Sequence, residues 1–446
     1  MTAMDAQHEQ HDIDRRRPHL PLALVNARLV DPASGLDAFG GLLIENGVIA
    51  DLGMHITEGS VEGAESLDCG GRTVAPGLID MMVFCGEPGH EHRETLATAS
   101  RAAAAGGVTT ICCMPNTDPV IDDVALVDFI LRRARDTALV HVHPMAAMTR
   151  DLKGEEMAEI GLLRDAGAVA FTNGKTSVAS ARLMRNVLSY ANDYGALVVH
   201  HLEDDSLTQD GVMNEGEVAT RLGLRGIPTA AETIMLERDI RLVELTGARY
   251  HAGQISCRAS LEVIRAAKAR GLPVTCGVSV NHLTLNENDI GSYRTFFKMK
   301  PPLRTEDDRQ AMVEGVSRGD IDVIVSAHDP RGAEGKRRPF AEANDGAVGL
   351  ETLLSAALRL YHNGEVSLHR LLDALSSRPA ELLGLSGGRL AKGATADLVL
   401  IDLEMPWKVE PERLRSKSKN TPFDEARFEG RALVTFVAGR PVYHYG

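Results

Sequence analysis

Five histidines, His200, His201, His251, His282 and His328, lie in or beside short apolar runs and are the side chains best suited to bind a metal or move a proton. A hydrolytic zinc centre needs nitrogen or oxygen donors that also lower the pKa of a bound water. Two such donors at alternate positions of a strand end meet one ion, because side chains alternate with period two. The segment Asp80-Met81-Met82-Val83-Phe84-Cys85-Gly86-Glu87-Pro88-Gly89 has this frame, but its alternate positions hold Met82 and Phe84. A methionine sulfur is a soft, weak ligand, and a phenyl ring is none. His200 and His201 are neighbours, so on a strand they point to opposite sides. The expectation is a set of hydrogen-bonded core histidines, with Met82 and Phe84 filling space that a metal and its water would otherwise need.

The elements that must position these groups follow from patterning. Residues 22–75 alternate apolar and polar around an Asn46-Gly47 turn, which predicts a small β unit. From Pro76 to about residue 380 the pattern becomes short apolar runs followed by helical stretches, among them Thr109–Met114, Ala196–His201, Pro273–Val278 and Ile321–Ser326. Repeated β-then-α units favour a parallel sheet closed into a (β/α)8 barrel. Strand character returns in Ala396–Asp402 and Ala432–Gly439. The expected organisation is a polar tail at 1–20, a first sandwich part at 21–75, the barrel at 76–380 and a second sandwich part at 381–446.

With 446 residues and 44% apolar content, the chain can fill both a large α/β core and a smaller one. Its formal charge of −14 and pI near 5.6 argue against nucleic-acid and anionic-membrane partners, which require clustered cations. The run Arg15–Arg17 is too short to change that reading. The first 20 residues are polar and lack an apolar h-region, and no stretch reaches 18 consecutive apolar residues, so neither a signal peptide nor a membrane span is expected. Six scattered cysteines without a Cys-x-x-Cys pair read as buried thiols in a reducing compartment, and the predicted location is cytoplasmic.

Longer motifs give a resemblance. Pro76-Gly77-Leu78-Ile79-Asp80, Met114-Pro115-Asn116-Thr117, Met213-Asn214-Glu215-Gly216-Glu217, Lys300-Pro301-Pro302-Leu303-Arg304 and Ser416–Phe423 together make the chain resemble, nearly end to end, the dihydroorotases of the amidohydrolase superfamily. It is most similar to their longer, aspartate transcarbamoylase-associated branch. The resemblance implies a TIM-type amidohydrolase barrel with a β-sandwich made by both chain ends. It also implies one or two Zn²⁺ ions and interconversion of carbamoyl aspartate and dihydroorotate in pyrimidine synthesis.

Residue by residue, the family's chemistry is missing. Its first two metal histidines correspond to Met82 and Phe84, and the adjacent carboxylate-binding arginine to Gly86. Phe171-Thr172-Asn173-Gly174-Lys175 stands where the branch has Phe-Thr-Asp-Asp-Gly, so Asn173 replaces an acid and cannot bridge two cations. Lys175 falls at the turn glycine, which disfavours it as a carboxylated bridge. His201 matches a metal histidine, whereas Gln254 stands at the next. Ser326-Ala327-His328-Asp329-Pro330-Arg331 replaces Thr-Asp-His-Ala-Pro-His, so Ala327 occupies the place of the acid that binds metal and shuttles the proton. Asp329, two positions on and before a proline, reads as a loop residue. Lys300 replaces a substrate-binding asparagine, Arg331 the final histidine, and Asn116 is the main substrate-binding group retained.

The reading is a non-catalytic homologue with no resident cofactor, acting as an assembly subunit for aspartate transcarbamoylase in a homo- and hetero-oligomer. Two alternatives stay open. One is a working cyclic amidohydrolase, dihydroorotase or hydantoinase-like, with a rearranged zinc site. The other is a metabolite sensor using Asn116, Lys300 and Arg331.

Overall fold

Residues 20–445 are described by a computed structural model, so residues 1–19, including the Arg15–Arg17 run, lie outside the described residues. The chain opens with β1 (Leu22–Asp31), β2 (Leu36–Glu45), β3 (Val48–Gly53), β4 (Glu65–Asp68) and β5 (Thr73–Pro76). β2 and β3 form a hairpin whose turn, Asn46-Gly47, has φ of 51° and 82°. Two consecutive left-handed residues match the twist of the flanking strands, and asparagine and glycine tolerate that region best.

The barrel follows. β6 (Leu78–Val83), β7 (Val108–Cys113) and β8 (His141–Pro144) pair in parallel. Phe171 makes a one-residue stave, bridging Ala146 on one side and Val198 on the other. β9 (Val198–His200) comes next, then a separate short pair, β10 (Met213–Asn214) with β11 (Gly226–Ile227). β12 (Tyr250–Ala252), β13 (Val274–Ser279) and β14 (Val323–Val325) complete the ring in parallel. With Phe171 the ring has eight staves among the described residues, as the patterning predicts.

Closure brings the first and last staves together. Val83 bridges His328, and Phe84 N–H donates to the His328 carbonyl at 2.9 Å. The buried Asp80 carboxylate accepts from the N–H groups of Met82 (3.1 Å) and Ser326 (3.2 Å), fixing both strand ends. Burial raises the Asp80 carboxyl to about 6, although these donors favour its charge.

β15 (Leu398–Lys408), β16 (Arg427–Val437) and β17 (Arg440–His444) return to the first sheet. Its order is β17-β16-β15-β5-β1-β2-β3, with β4 beside β1, so strands from both chain ends share one sheet. The single tryptophan, Trp407 on β15, joins sheet to barrel, its Nε1–H donating to Ser355 Oγ and Gly430 O at 3.2 Å. No helix among the described residues is long and apolar enough to cross a membrane.

The cysteine expectation needs one correction. Cys85 and Cys113 are joined as a disulfide with Cα atoms 5.8 Å apart, while Cys69, Cys112, Cys257 and Cys276 are free and buried. β6 and β7 run side by side with Val83 opposite Cys113, which places Cys85 within bridging range. Nothing in the cysteine spacing predicts that register.

Candidate functional site

The C-terminal ends of the staves enclose a cavity of about 40 Å³, lined by Met82, Phe84, Asn116, Lys175, His201, Gln254, Asn281, Lys300, Ala327 and Asp329 among others. The barrel mouth is where such a fold carries its chemistry. Space of this size holds a few waters, while a small-molecule site spans several hundred Å³.

Met82 near the end of β6 and Phe84 just beyond it both line this cavity, as the period-two argument requires. The phenyl ring of Phe84 is covered by the Arg93 guanidinium, 4.0 Å from its centroid. Gly86 has φ of +72°, and a Cβ there would lie 2.3 Å from the Glu94 carbonyl oxygen. The loop therefore closes on a backbone that admits no arginine at this position. Glu87 faces away from the cavity, accepting from Leu96 N–H at 3.1 Å and pairing with Arg133, so it secures the start of the helix Leu96–Ala105.

Asn173 does not line the cavity. Its Oδ1 accepts from Thr149 N–H at 3.1 Å and its Nδ2 donates to Thr149 Oγ1 at 2.7 Å, so the amide ties two loops together. Lys175 does line it, with Nζ held by Asp329 and Asp345. Burial opposes the ammonium charge, but the two carboxylates outweigh it and hold the Lys175 pKa above its ordinary value.

The histidines divide in two groups. His200 turns away from the cavity: Val178 N–H donates to its Nε2 at 2.9 Å, so Nδ1 carries the proton and donates to Asp239 at 2.6 Å. His201 faces the cavity, but its Nε2 is engaged by Glu203 at 3.0 Å, and Lys300 meets the same carboxylate at 3.1 Å. Burial pushes the His201 imidazole below its ordinary value, although Glu203 beside it favours the charge. His282 accepts from Ser279 at Nδ1 (2.9 Å) and donates from Nε2 to the Pro302 carbonyl (3.2 Å). His328 donates to Glu94 at 3.3 Å and accepts from Gly349 N–H at 3.2 Å. His251 bonds Thr275 at 2.8 Å through Nδ1, while its buried Nε2 has no hydrogen-bond partner.

Ala327 sits at φ +50° and offers a methyl group at the position where the family resemblance expects a general base. Asp329 is buried, as its loop assignment did not anticipate, and its oxygens are taken by Arg93, Lys175 and Arg331. Although burial favours the neutral acid, these cations hold it below the usual carboxylate range, which removes it as a proton acceptor near neutral pH. Arg93, Glu203 and Asp345 are site residues that sequence reasoning missed. They do not line the cavity but hold residues that do, Arg93 pairing with Asp329, Asp345 with Lys175 and Glu203 with His201.

Among the described residues, no three His, Cys, Asp or Glu side chains gather so as to hold a metal ion. The imidazoles that line the cavity, His201, His282 and His328, and the carboxylate of Asp329 are each engaged by protein partners, and the thioethers and primary amides beside them are poor ligands, so the set does not fit a hydrolytic zinc centre. Asn116 Oδ1 and Asn281 Oδ1 are buried without partners at the same cavity.

The retained motifs carry structure. Arg304 Nη1–H donates to Asn214 Oδ1 (3.0 Å) and Ile227 O (2.8 Å), and Asn214 donates to Glu287 (2.8 Å). Ser416–Asn420 straps the barrel mouth: Ser416 bonds Glu94, Ser418 bonds Arg93 O (2.8 Å), and Asn420 links Arg331 N (2.9 Å) to Gly346 O (3.0 Å).

Comparison with known proteins agrees with this architecture. A Dihydro-orotase-like family model matches residues 71–260, and an Amidohydrolase family model matches residues 341–443. The chain is 43% identical to the dihydroorotase of Anaplasma phagocytophilum over 95% of both chains. It is 44% identical to that of Citrifermentans bemidjiense over 95% of this chain and 99% of the other. Among solved structures, the L-hydantoinase of Arthrobacter aurescens superposes with a TM-score of 0.87 at 26% identity, covering 96% of this chain and 97% of that one. The dihydropyrimidinase of Brevibacillus agri shares the fold, with a TM-score of 0.83 at 22% identity and 95% coverage of each chain. The chain belongs to the dihydroorotase-like family of the amidohydrolases.

Proposed function

We propose that this chain is a non-catalytic dihydroorotase homologue that serves aspartate transcarbamoylase as an assembly subunit in de novo pyrimidine biosynthesis, without a resident metal. One observation carries the reading. Positions where the family seats metal and proton chemistry hold Met82, Phe84, Asn173, Gln254 and Ala327, while the motif network of Asn214, Arg304 and Asn420 is intact. These replacements remove a general base and water activation together, and the imidazoles and the carboxylate that remain at the cavity are engaged by protein partners, which supports the reading. Maintenance of a large fold around such a site fits a function located on its surface.

The test is reconstitution of the transcarbamoylase catalytic subunit with and without this chain, reading particle mass by light scattering and carbamoyl transfer by product formation. The expected result is a larger complex whose transferase activity depends on the chain. Equal mass and equal activity in both samples would sink the proposal.

The names of the 43–44% identical relatives favour a second reading, a working cyclic amidohydrolase on a rearranged zinc site. Zinc-dependent turnover of dihydroorotate that disappears in His201→Ala or His328→Ala would establish it.

A further inference from the structure

The cavity that would hold the family's metal contains a cation supplied by the chain itself. Lys175 follows the Phe171 stave, and its Nζ lies 2.5 Å from Asp329 Oδ2 and 3.1 Å from Asp345 Oδ2. Asp329 receives two more cations, Arg93 at 2.7 Å and Arg331 at 2.9 Å, and Arg331 Nε also donates to the Asp345 carbonyl at 2.6 Å. These groups come from the loops after β6, Phe171 and β14, so the cluster ties three separate parts of the barrel mouth. The loop is moulded to it: Gly346 has φ of +112°, and a Cβ there would sit 2.4 Å from Asp329 Oδ2.

The electrostatics follow from the count of charges. Three cations face two carboxylates, so the cluster carries excess positive charge. A divalent ion placed beside Met82, His201 and Gln254 would meet that excess and no uncommitted carboxylate. A bound metal ordinarily crosslinks the strand ends that ligate it, and an ammonium held by two carboxylates from one loop can do the same with three N–H donors.

We infer that Lys175 replaces the family's metal as the cation that braces the barrel mouth through Asp329 and Asp345, making the folded state independent of divalent metal. This rests on the non-catalytic reading above and adds to it the device that stabilises a metal-free barrel. Asp329 is 5% exposed and Lys175 27%, so removing the ammonium leaves a mostly buried carboxylate with fewer partners.

Thermal unfolding of the full chain tests it, using wild type with EDTA or added zinc and the variants K175M, K175R, D329N and K175M/D329N. Wild type is expected to melt at one temperature under all metal conditions, and K175M roughly 5 °C lower. The double variant is expected to lose less than the sum of the single losses, because the carboxylate that lacked its partner is gone. K175R keeps the charge and is expected to stay within roughly 2 °C of wild type, a comparison that stands even where K175M does not accumulate. A wild-type-like K175M, additive losses in the double variant, or an Arg variant as weak as the Met variant each overturns the inference. A neutral K175M in a metal-free protein removes this inference alone. A wild type that chelation destabilises and zinc restores removes the non-catalytic reading with it.

Discussion

Gln254 Nε2 faces Met82 Sδ at 3.8 Å across the barrel mouth, so two positions to which the family resemblance assigns metal histidines touch each other. A thioether is a weak acceptor, so this contact holds the Gln254 amide only loosely. Gln254→Leu is therefore expected to change stability by less than about 1 kcal/mol in urea denaturation, because it trades a poorly bonded amide for an apolar group of similar size. A loss above roughly 3 kcal/mol would show that the amide has a stronger role than this contact.

A second expectation concerns Gly86. Its left-handed backbone and the 2.3 Å approach of Glu94 O to a would-be Cβ leave no room for the arginine of catalytic relatives. Gly86→Arg should cost roughly 3 kcal/mol or more, measured by chemical denaturation. A variant with unchanged stability would mean that this loop relaxes freely.

Deep in the barrel wall, Asp239 accepts from His200 (2.6 Å), Tyr250 OH (2.7 Å) and Arg238 (2.7 Å) with its side chain 0% exposed. Asp239→Asn removes the charge that these donors require, so a loss of about 3–5 kcal/mol is expected. Far-ultraviolet dichroism through a urea titration would measure it, and a loss below about 1 kcal/mol would contradict the network.

Acid sensitivity comes from buried imidazoles. Burial pushes His251 and His282 down to about 4 from an ordinary value of 6.5. Below pH 6.5 the unfolded chain binds protons that the folded chain refuses, so stability is complete above 6.5 and falls until pH 4. Each histidine contributes up to roughly 3 kcal/mol to that fall. His282→Gln is expected to flatten the stability profile between pH 6.5 and 4, and an unchanged slope would exclude His282 as a cause.

Chain order alone determined the barrel, the two-ended sheet and the residue types that stand within the short motifs. Each is a local property: period-two alternation, β-then-α repetition, and the identities of Met82, Phe84, Gln254 and Ala327 within short motifs. The same locality explains the cysteine error, because Cys85 and Cys113 are neighbours only through the β6–β7 register. Asp329 was read from its neighbours Ala327 and Pro330 as a loop residue, and it is one, yet its burial and three cationic partners depend on barrel closure. Lys175, Arg93 and Asp345 likewise lie far apart in sequence and meet only where the loops after different staves converge. The tertiary structure decided which charges meet at the barrel mouth, since charge pairing in a closed ring is set by distances across the ring that no segment of the chain encodes alone.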